Sequence, residues 1–215
     1  MQTVPADLFE GCGSVTSFSY TFSNTGLIEV PEQLFSYSPE VTDLSSTFYN
    51  LKTLKTVPEK LFENNINVTN FDGVFQYSGL IEVKENLFAN CTLVKSFNYT
   101  FASTNLKEIP AGLFRNCPDV TSFSGTFAQC SNLKIVPDCI FNFNKRVTNF
   151  REVFVYCRNV ESESPYMMIG EKKVHLYERI NYPEYFITPT NYDAAFCQCG
   201  KMSDYNDIPN DWKSY

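Results

Sequence analysis

The sequence predicts an α/β repeat solenoid, a stack of coils of 26–27 residues, each combining short parallel strands with short helical turns. Three spacings carry that prediction. Phe9, Phe22, Phe35 and Phe48 follow one another every 13 residues. Phe62, Phe75, Phe88, Phe101, Phe114 and Phe127 keep the same step after one of 14, and Phe141 and Phe154 repeat the pattern. A second register of Phe18, Leu44, Phe71, Phe97, Phe123 and Phe150 recurs at 26 or 27, so the unit has two unlike halves. A Val/Ile-Pro pair marks each unit at Val4-Pro5, Val30-Pro31, Val57-Pro58, Ile109-Pro110 and Val136-Pro137, with Val83-Lys84 as the imperfect copy. Six such units fill residues 1–160. A unit this short cannot cover its own apolar side, so it must stack on its neighbours.

Within one unit, LKEIPAGLFRNCPD from Leu106 is followed by VTSFSGTFAQCSN from Val120. The apolar pairs Leu106/Ile109 and Val120/Phe123 predict short extended segments. Pro110 suits the corner into a helical turn, because its fixed φ fits a first helical position and its missing N–H costs nothing there. Glu32, Glu59, Glu85 and Asp138, just past that corner, suit the positive end of such a turn. Stacked coils then place the Phe columns in a continuous aromatic spine, which is a scaffold feature.

The two ends read differently. Met1 falls where Leu27, Leu54, Leu80, Leu106 and Leu133 fall in later units, so the sequence opens on a coil position and is expected to be a segment of a longer protein. Residues 161–215 read as a divergent repeat plus a C-terminal cap. Pro183-Glu184-Tyr185-Phe186 and Ala195-Phe196 echo the two Phe motifs there, and Ile208-Pro209 with Trp212 echoes the proline corner. The lone Trp is placed to cover the last coil.

Charge and composition exclude several function classes. The formal net charge is −7, and both the repeat region and the remainder are acidic, so neither offers the basic footprint that nucleic acid requires. No run approaches the ~18 apolar residues of a membrane span. No G-x-S-x-G or Gly-rich phosphate loop occurs, and only 9 Gly are present in all. The sequence therefore reads as non-enzymatic, with no catalytic residues, no cofactor and no metal site. A hydrolase built on an unrecognised carboxylate pair stays open as a remote alternative.

Cys12, Cys91 and Cys117 sit three residues after the Leu-Phe pair, where other units hold Ser38, Asn65 and Asn144. Cys130, Cys157 and Cys199 sit three after the other Phe column, where Thr25, Leu51, Ser78 and Thr104 alternate. A position shared by Cys, Asn, Ser and Thr calls for a small side chain that meets a backbone group, so buried free thiols are expected; a disulfide between stacked thiols such as Cys91 and Cys117 is the alternative. Cys197-Gln198-Cys199 is too short for a zinc hook. His175, in Val174-His175-Leu176-Tyr177, reads as part of a short strand with no catalytic partner in view. Asp204, Asn206, Asp207, Asn210 and Asp211 lack the Gly and terminal Glu of a calcium loop and read as a solvated turn. The N-x-[ST] strings at Asn67, Asn90 and Asn98 fall out of the repeat itself.

The pattern L-x-x-I-P-x-x-L-F-x-N-C with V-T-S-F-S-x-T-F-x-x-C, clearest from Leu106 to Cys130, resembles the BspA-like leucine-rich repeats of bacterial surface proteins. The likeness covers about three quarters of the chain and departs from the commoner form in its longer unit and heavy use of Phe. It implies leucine-rich-repeat-like coils and a cell-surface or extracellular protein used in adhesion or ligand capture, with no catalytic residues to carry over. The candidate binding column is Thr16, Thr42, Thr69, Lys95, Thr121 and Thr148, flanked by Ser17, Asp43, Asn70, Ser96, Ser122 and Asn149. Hydroxyls and amides at coil spacing suit an extended protein or glycan ligand; a solvated, β-favouring face is the plainer reading. Tyr20, Tyr37, Tyr77 and Tyr99 lie off the apolar registers and are candidate aromatic platforms. A structural spacer in a larger surface protein is the alternative function.

Overall fold

The computed structural model describes residues 2–215, so the expectation placed on Met1 lies outside the described residues. Residues one repeat apart are joined directly. Parallel bridges run through Ser17, Asp43, Asn70, Ser96, Ser122, Asn149 and Asn191 in succession, which is the ladder of a stacked-coil solenoid. The strand content is sparser than the sequence predicts. Each coil contributes a single bridging residue to this ladder, with a second bridge at Glu108 and Ile135.

The expected helical turns are also absent as helices: among the described residues the chain forms no α-helix. Each arm instead closes by overlapping turns, as in Leu8 N–H to Pro5, Glu10 to Asp7 and Cys12 to Phe9. The physical reason lies in the alternation of the second arm. Phe18, Tyr20, Phe22 and Asn24 donate their N–H groups forward to Asp43, Ser45, Thr47 and Tyr49 of the next coil, at 2.9–3.1 Å. Thr21, Ser23 and Thr25 between them bond back three residues within their own arm. An arm that spends every second N–H on its neighbour satisfies its backbone without a helix or a long strand.

That alternation forces left-handed backbone at two places per coil. Tyr20, Ser46, Gly73, Tyr99, Gly125, Glu152 and Ala194 form one column of positive φ, and Asn24, Asn50, Tyr77, Ser103, Gln129, Tyr156 and Gln198 form the other. Tyr20 and Asn24 take the third place of their turns, where a positive φ is required and glycine is favoured.

Three Phe columns fill the interior. Phe22, Phe48, Phe75, Phe101, Phe127 and Phe154 stack at 5.6–5.7 Å with rings within 16° of parallel. Phe35, Phe62, Phe88, Phe114 and Phe141 repeat this at 5.9–6.4 Å. Rings of adjacent columns meet tilted, as Phe97 and Phe114 do at 4.7 Å, so the spine gains edge and face contacts together. Close coil approach also depends on Gly79, where a Cβ would lie 2.2 Å from the Lys52 carbonyl oxygen. Gly79→Ala is expected to lower stability by roughly 1–3 kcal/mol in urea titrations, because the obstruction is backbone; an unchanged midpoint would show that the coils give way freely.

The small side chains after each Phe act as predicted from their register. Ser38 donates to the Cys12 carbonyl, Asn65 to Phe35 and Ser38, Cys117 to Phe88 and Cys91, and Asn144 to Phe114 and Cys117. In the other column Cys130, Cys157 and Cys199 donate to Phe101, Phe127 and Phe154 at 3.0–3.2 Å. All eight cysteines are free.

Past residue 160 two features depart from the sequence reading. The Val174-His175 segment is not a lone strand running on to Tyr177. It is half of an antiparallel hairpin, β1 (Tyr166–Ile169) with β2 (Lys172–His175), which runs into a 3₁₀ helix at Leu176–Asn181. Phe196 stacks on Phe154 at 5.9 Å, but Phe186 does not extend the other column. The Arg179 guanidinium stands there, donating to the Phe141 and Asn144 carbonyls at 2.8 and 3.2 Å with Phe186 at 4.4 Å from it. Arg179 thus supplies the donor that the next Asn or Cys would supply, and full burial lowers its pKa to about 9. Trp212 lies over the far end, stacked on Tyr192 at 4.5 Å and tilted against Phe150 and Phe196.

Candidate recognition face

The column Thr16, Thr42, Thr69, Lys95, Thr121 and Thr148 lies exposed or half-exposed in one line. Its backbone is a ladder in its own right. Thr42, Thr69, Lys95, Thr121 and Thr148 each donate an N–H to the preceding member's carbonyl at 2.9–3.0 Å. The hydroxyls of Thr42, Thr69, Thr121 and Thr148 lean on the same carbonyls at 3.3–3.5 Å, so their protons serve the stack while their lone pairs face water. Lys95 reaches Asp119 at 2.7 Å and Arg146 reaches the same carboxylate at 3.2 Å. The Lys95 hydrogen bond and charge hold Asp119 below the usual carboxylate range.

Beside this column the bridging residues build a polar network. Asn70 Oδ1 accepts the Asp72 N–H, and the Asp72 carboxylate accepts the Asn98 N–H at 2.8 Å and its Nδ2 at 3.0 Å. Asn98 Oδ1 accepts from Ser122 Oγ and from the Ser124 N–H. Side chains of successive coils are thereby locked in a fixed order along the stack.

The left-handed column next to the network opens a groove of about 510 Å³. Tyr20 and Tyr99, small Ser46 and Gly73, and Asn70, Asp72, Gln76 and Asn98 are among the residues that line it. Tyr20 is 63% exposed. Tyr99 lies across Gly125, where a Cβ would meet its ring at 2.2 Å, and its hydroxyl donates to Glu152 at 3.0 Å. Burial, and then the Glu152 carboxylate, raise the Tyr99 pKa. Asp72 is the one charged residue among those lining the groove.

Sequence reasoning singled out Tyr20, Tyr99, Asn70 and Asn149 separately, and the structure brings all four to this groove. It missed Asp72, Gln76 and Ser46, which lie in positions that vary from coil to coil. Tyr37 and Tyr77 fall elsewhere, Tyr37 exposed and Tyr77 beneath Lys52 at 5.1 Å. The three N-x-[ST] asparagines hold neighbouring coils through Nδ2, Asn67 to Pro39, Asn90 to Glu63 and Asn98 to Asp72.

His175 has partners that the sequence did not reveal. Ser164 Oγ lies 2.9 Å from its Nδ1 and donates to Asp204 Oδ2 at 2.5 Å, while Asp204 Oδ1 accepts the Ser164 N–H. A hydrolytic triad sets serine and carboxylate on opposite ring nitrogens. Here both face Nδ1, and Ser164 is fully buried, so the cluster ties the hairpin to the C-terminal segment. Asp204, read from sequence as part of a solvated turn, is buried by this role.

Among the described residues no helix is long and apolar enough to cross a membrane. No family model matches the chain, and no curated protein matches it. Solved structures similar to it include leucine-rich repeat domains and the Toll–Spatzle complex. The leucine-rich repeat domain of the type III effector XopL matches at 13% identity and a TM-score of 0.47, covering 97% of this chain and 70% of that one. A leucine-rich repeat protein of Leptospira interrogans matches at 11% and 0.47, covering 93% and 50%. The Toll–Spatzle complex of Drosophila matches at 18% and 0.39, covering 69% of this chain, which spans about a quarter (25%) of the matched one. The repeat solenoid itself is established by the chain's own coil-to-coil ladder, residue by residue.

Proposed function

We propose that the chain is a non-enzymatic recognition or adhesion module of a bacterial cell surface, binding a protein or glycan through the face that carries the Thr column and the neighbouring groove. The carrying observation is the groove: aromatic rings, amides and one carboxylate held in fixed order on a rigid stack, open to solvent. The BspA-like motif from Leu106 to Cys130 supports the surface setting. Asp72 as the lone charge in the groove argues against a phosphate-backbone ligand.

The test is a screen of the purified chain against arrays of glycans and extracellular matrix proteins, with a Thr69→Arg/Thr121→Arg/Thr148→Arg variant alongside. Binding by the parent and its loss in a variant that melts at the same temperature is the expected result. A second reading, a structural spacer, is favoured by one observation: the Thr hydroxyls bond the preceding coil. Silence of the folded parent on both arrays would transfer the assignment to that reading.

A further inference from the structure

We infer that the groove between Tyr20 and Tyr99 is a binding site for a neutral oligosaccharide, lying along the stack with its sugar faces on the tyrosine rings. The inference rests on the reading that this face binds a ligand, and adds the ligand's chemical class.

Tyr20 and Tyr99 carry a backbone cost. Both occupy the left-handed column, at φ 59 and 53, where two of the seven positions are Gly. A bulky residue at positive φ is strained, and such strain persists where the side chain has a use. Tyr99 has a partner in Glu152, whereas Tyr20 stands with its ring in solvent. An exposed, rigidly mounted ring is a surface for the C–H face of a pyranose.

Donors and acceptors are paired along the groove. Asn70 spends Oδ1 on the Asp72 N–H, which leaves its Nδ2 donors without a protein partner among the described residues, and both residues line the groove. That carboxylate has accepted two bonds from Asn98 and retains lone pairs. An amide donor next to a carboxylate acceptor matches two adjacent hydroxyls of one sugar. Tyr20 and Tyr99 stand three coils apart, roughly 14 Å at the usual strand spacing, so the groove holds a short run of sugars, each about one coil step long.

The backbone and the charge of the groove separate this ligand from a peptide or a charged chain. A peptide that adds as a strand needs unpaired backbone groups. Here the alternate N–H groups of the second arm at Leu44, Ser46, Phe71 and Gly73 are already bonded to the next coil. A sulfated or sialylated chain would meet Asp72 with no basic residue in the lining.

The experiment is calorimetric titration of the full chain with neutral gluco-, manno-, galacto- and xylo-oligosaccharides of increasing length, with heparin and sialyllactose as anionic probes. Expected is binding to at least one neutral series, weakened about tenfold by Tyr20→Ala, unchanged by Tyr37→Ala, and weakened by Gln76→Ala. All three side chains are partly or well exposed, so a shared melting temperature confirms folding. Binding that ignores Tyr20→Ala, or binding of the anionic probes alone, overturns the inference. A displayed peptide library run in parallel separates the two levels. Peptides blocked by Tyr20→Ala, with no neutral glycan bound, overturn the sugar and leave the face; no ligand of either kind overturns both.

Discussion

Raising the pH from 8 to 10 under reducing conditions is expected to remove most of the fold's stability. Five thiols are buried: Cys91, Cys117, Cys130, Cys157 and Cys199. In the unfolded chain each ionises near its ordinary value of 9.0, whereas burial pushes Cys117 and Cys199 up to about 12 and Cys130 to about 11. Burial raises Cys91 and Cys157 as well. Between the unfolded and folded values the fold holds more protons than the unfolded chain, so stability is intact below pH 9 and falls as pH rises through that window. Each thiol contributes a loss on the order of 1 kcal/mol at pH 10, one pH unit above its unfolded value. Summed over the five thiols the loss is several kcal/mol, comparable with the whole stability of a typical domain. Urea midpoints at pH 8 and 10 measure it. Cys130→Thr, borrowing the Thr104 solution from the preceding coil, should shallow the slope by one proton. An unchanged midpoint between the two pH values would mean that the thiols are not sealed from water.

Phe114→Ala is expected to cost about 3–5 kcal/mol. The ring is fully buried and meets Phe97 at 4.7 Å and Phe123 at 4.8 Å, with Phe88 and Phe141 above and below it. Neighbouring coils are pinned by their own ladders and cannot collapse into the space, which places the cost toward the upper end. Thr69→Ala and Thr148→Ala remove one weak hydroxyl contact each and should stay within about 1 kcal/mol. Thermal or urea unfolding compares the three. Equal losses at Phe114 and Thr69 would mean that the inward and outward registers are misassigned.

What could be read from the sequence was what recurs. The Phe columns and the Cys/Asn/Ser/Thr positions declare themselves because six coils repeat the same physical demand. The backbone conformation was not legible, since Tyr20, Ser46, Glu152 and Gln129 sit at positive φ without the glycine that normally announces it. The secondary structure was over-read for a related reason: a Pro-x-x-Leu-Phe turn looks like a helix start, but its N–H groups bond back only three residues, as Leu8, Glu10 and Cys12 do. Arg179 and the Ser164–His175–Asp204 cluster each occur once. Their partners lie 35–40 residues away, at Asn144, Phe141 and Asp204, beyond the reach of any local pattern. The groove was half legible, in its tyrosines and its Asn column, while Asp72 and Gln76 needed the stacking order to be seen as neighbours.

The forward direction of the second-arm bonds gives the stack the character of a polar filament whose monomer is the coil. Each second arm offers donors on one side and acceptors on the other, and the run is terminated where Ala194 and Phe196 spend their N–H groups on Ser214 and Trp212. Excising or duplicating one whole coil leaves every type of bond in place. Length is therefore a quantity this architecture can change in single steps, and with it the number of sites that one face displays.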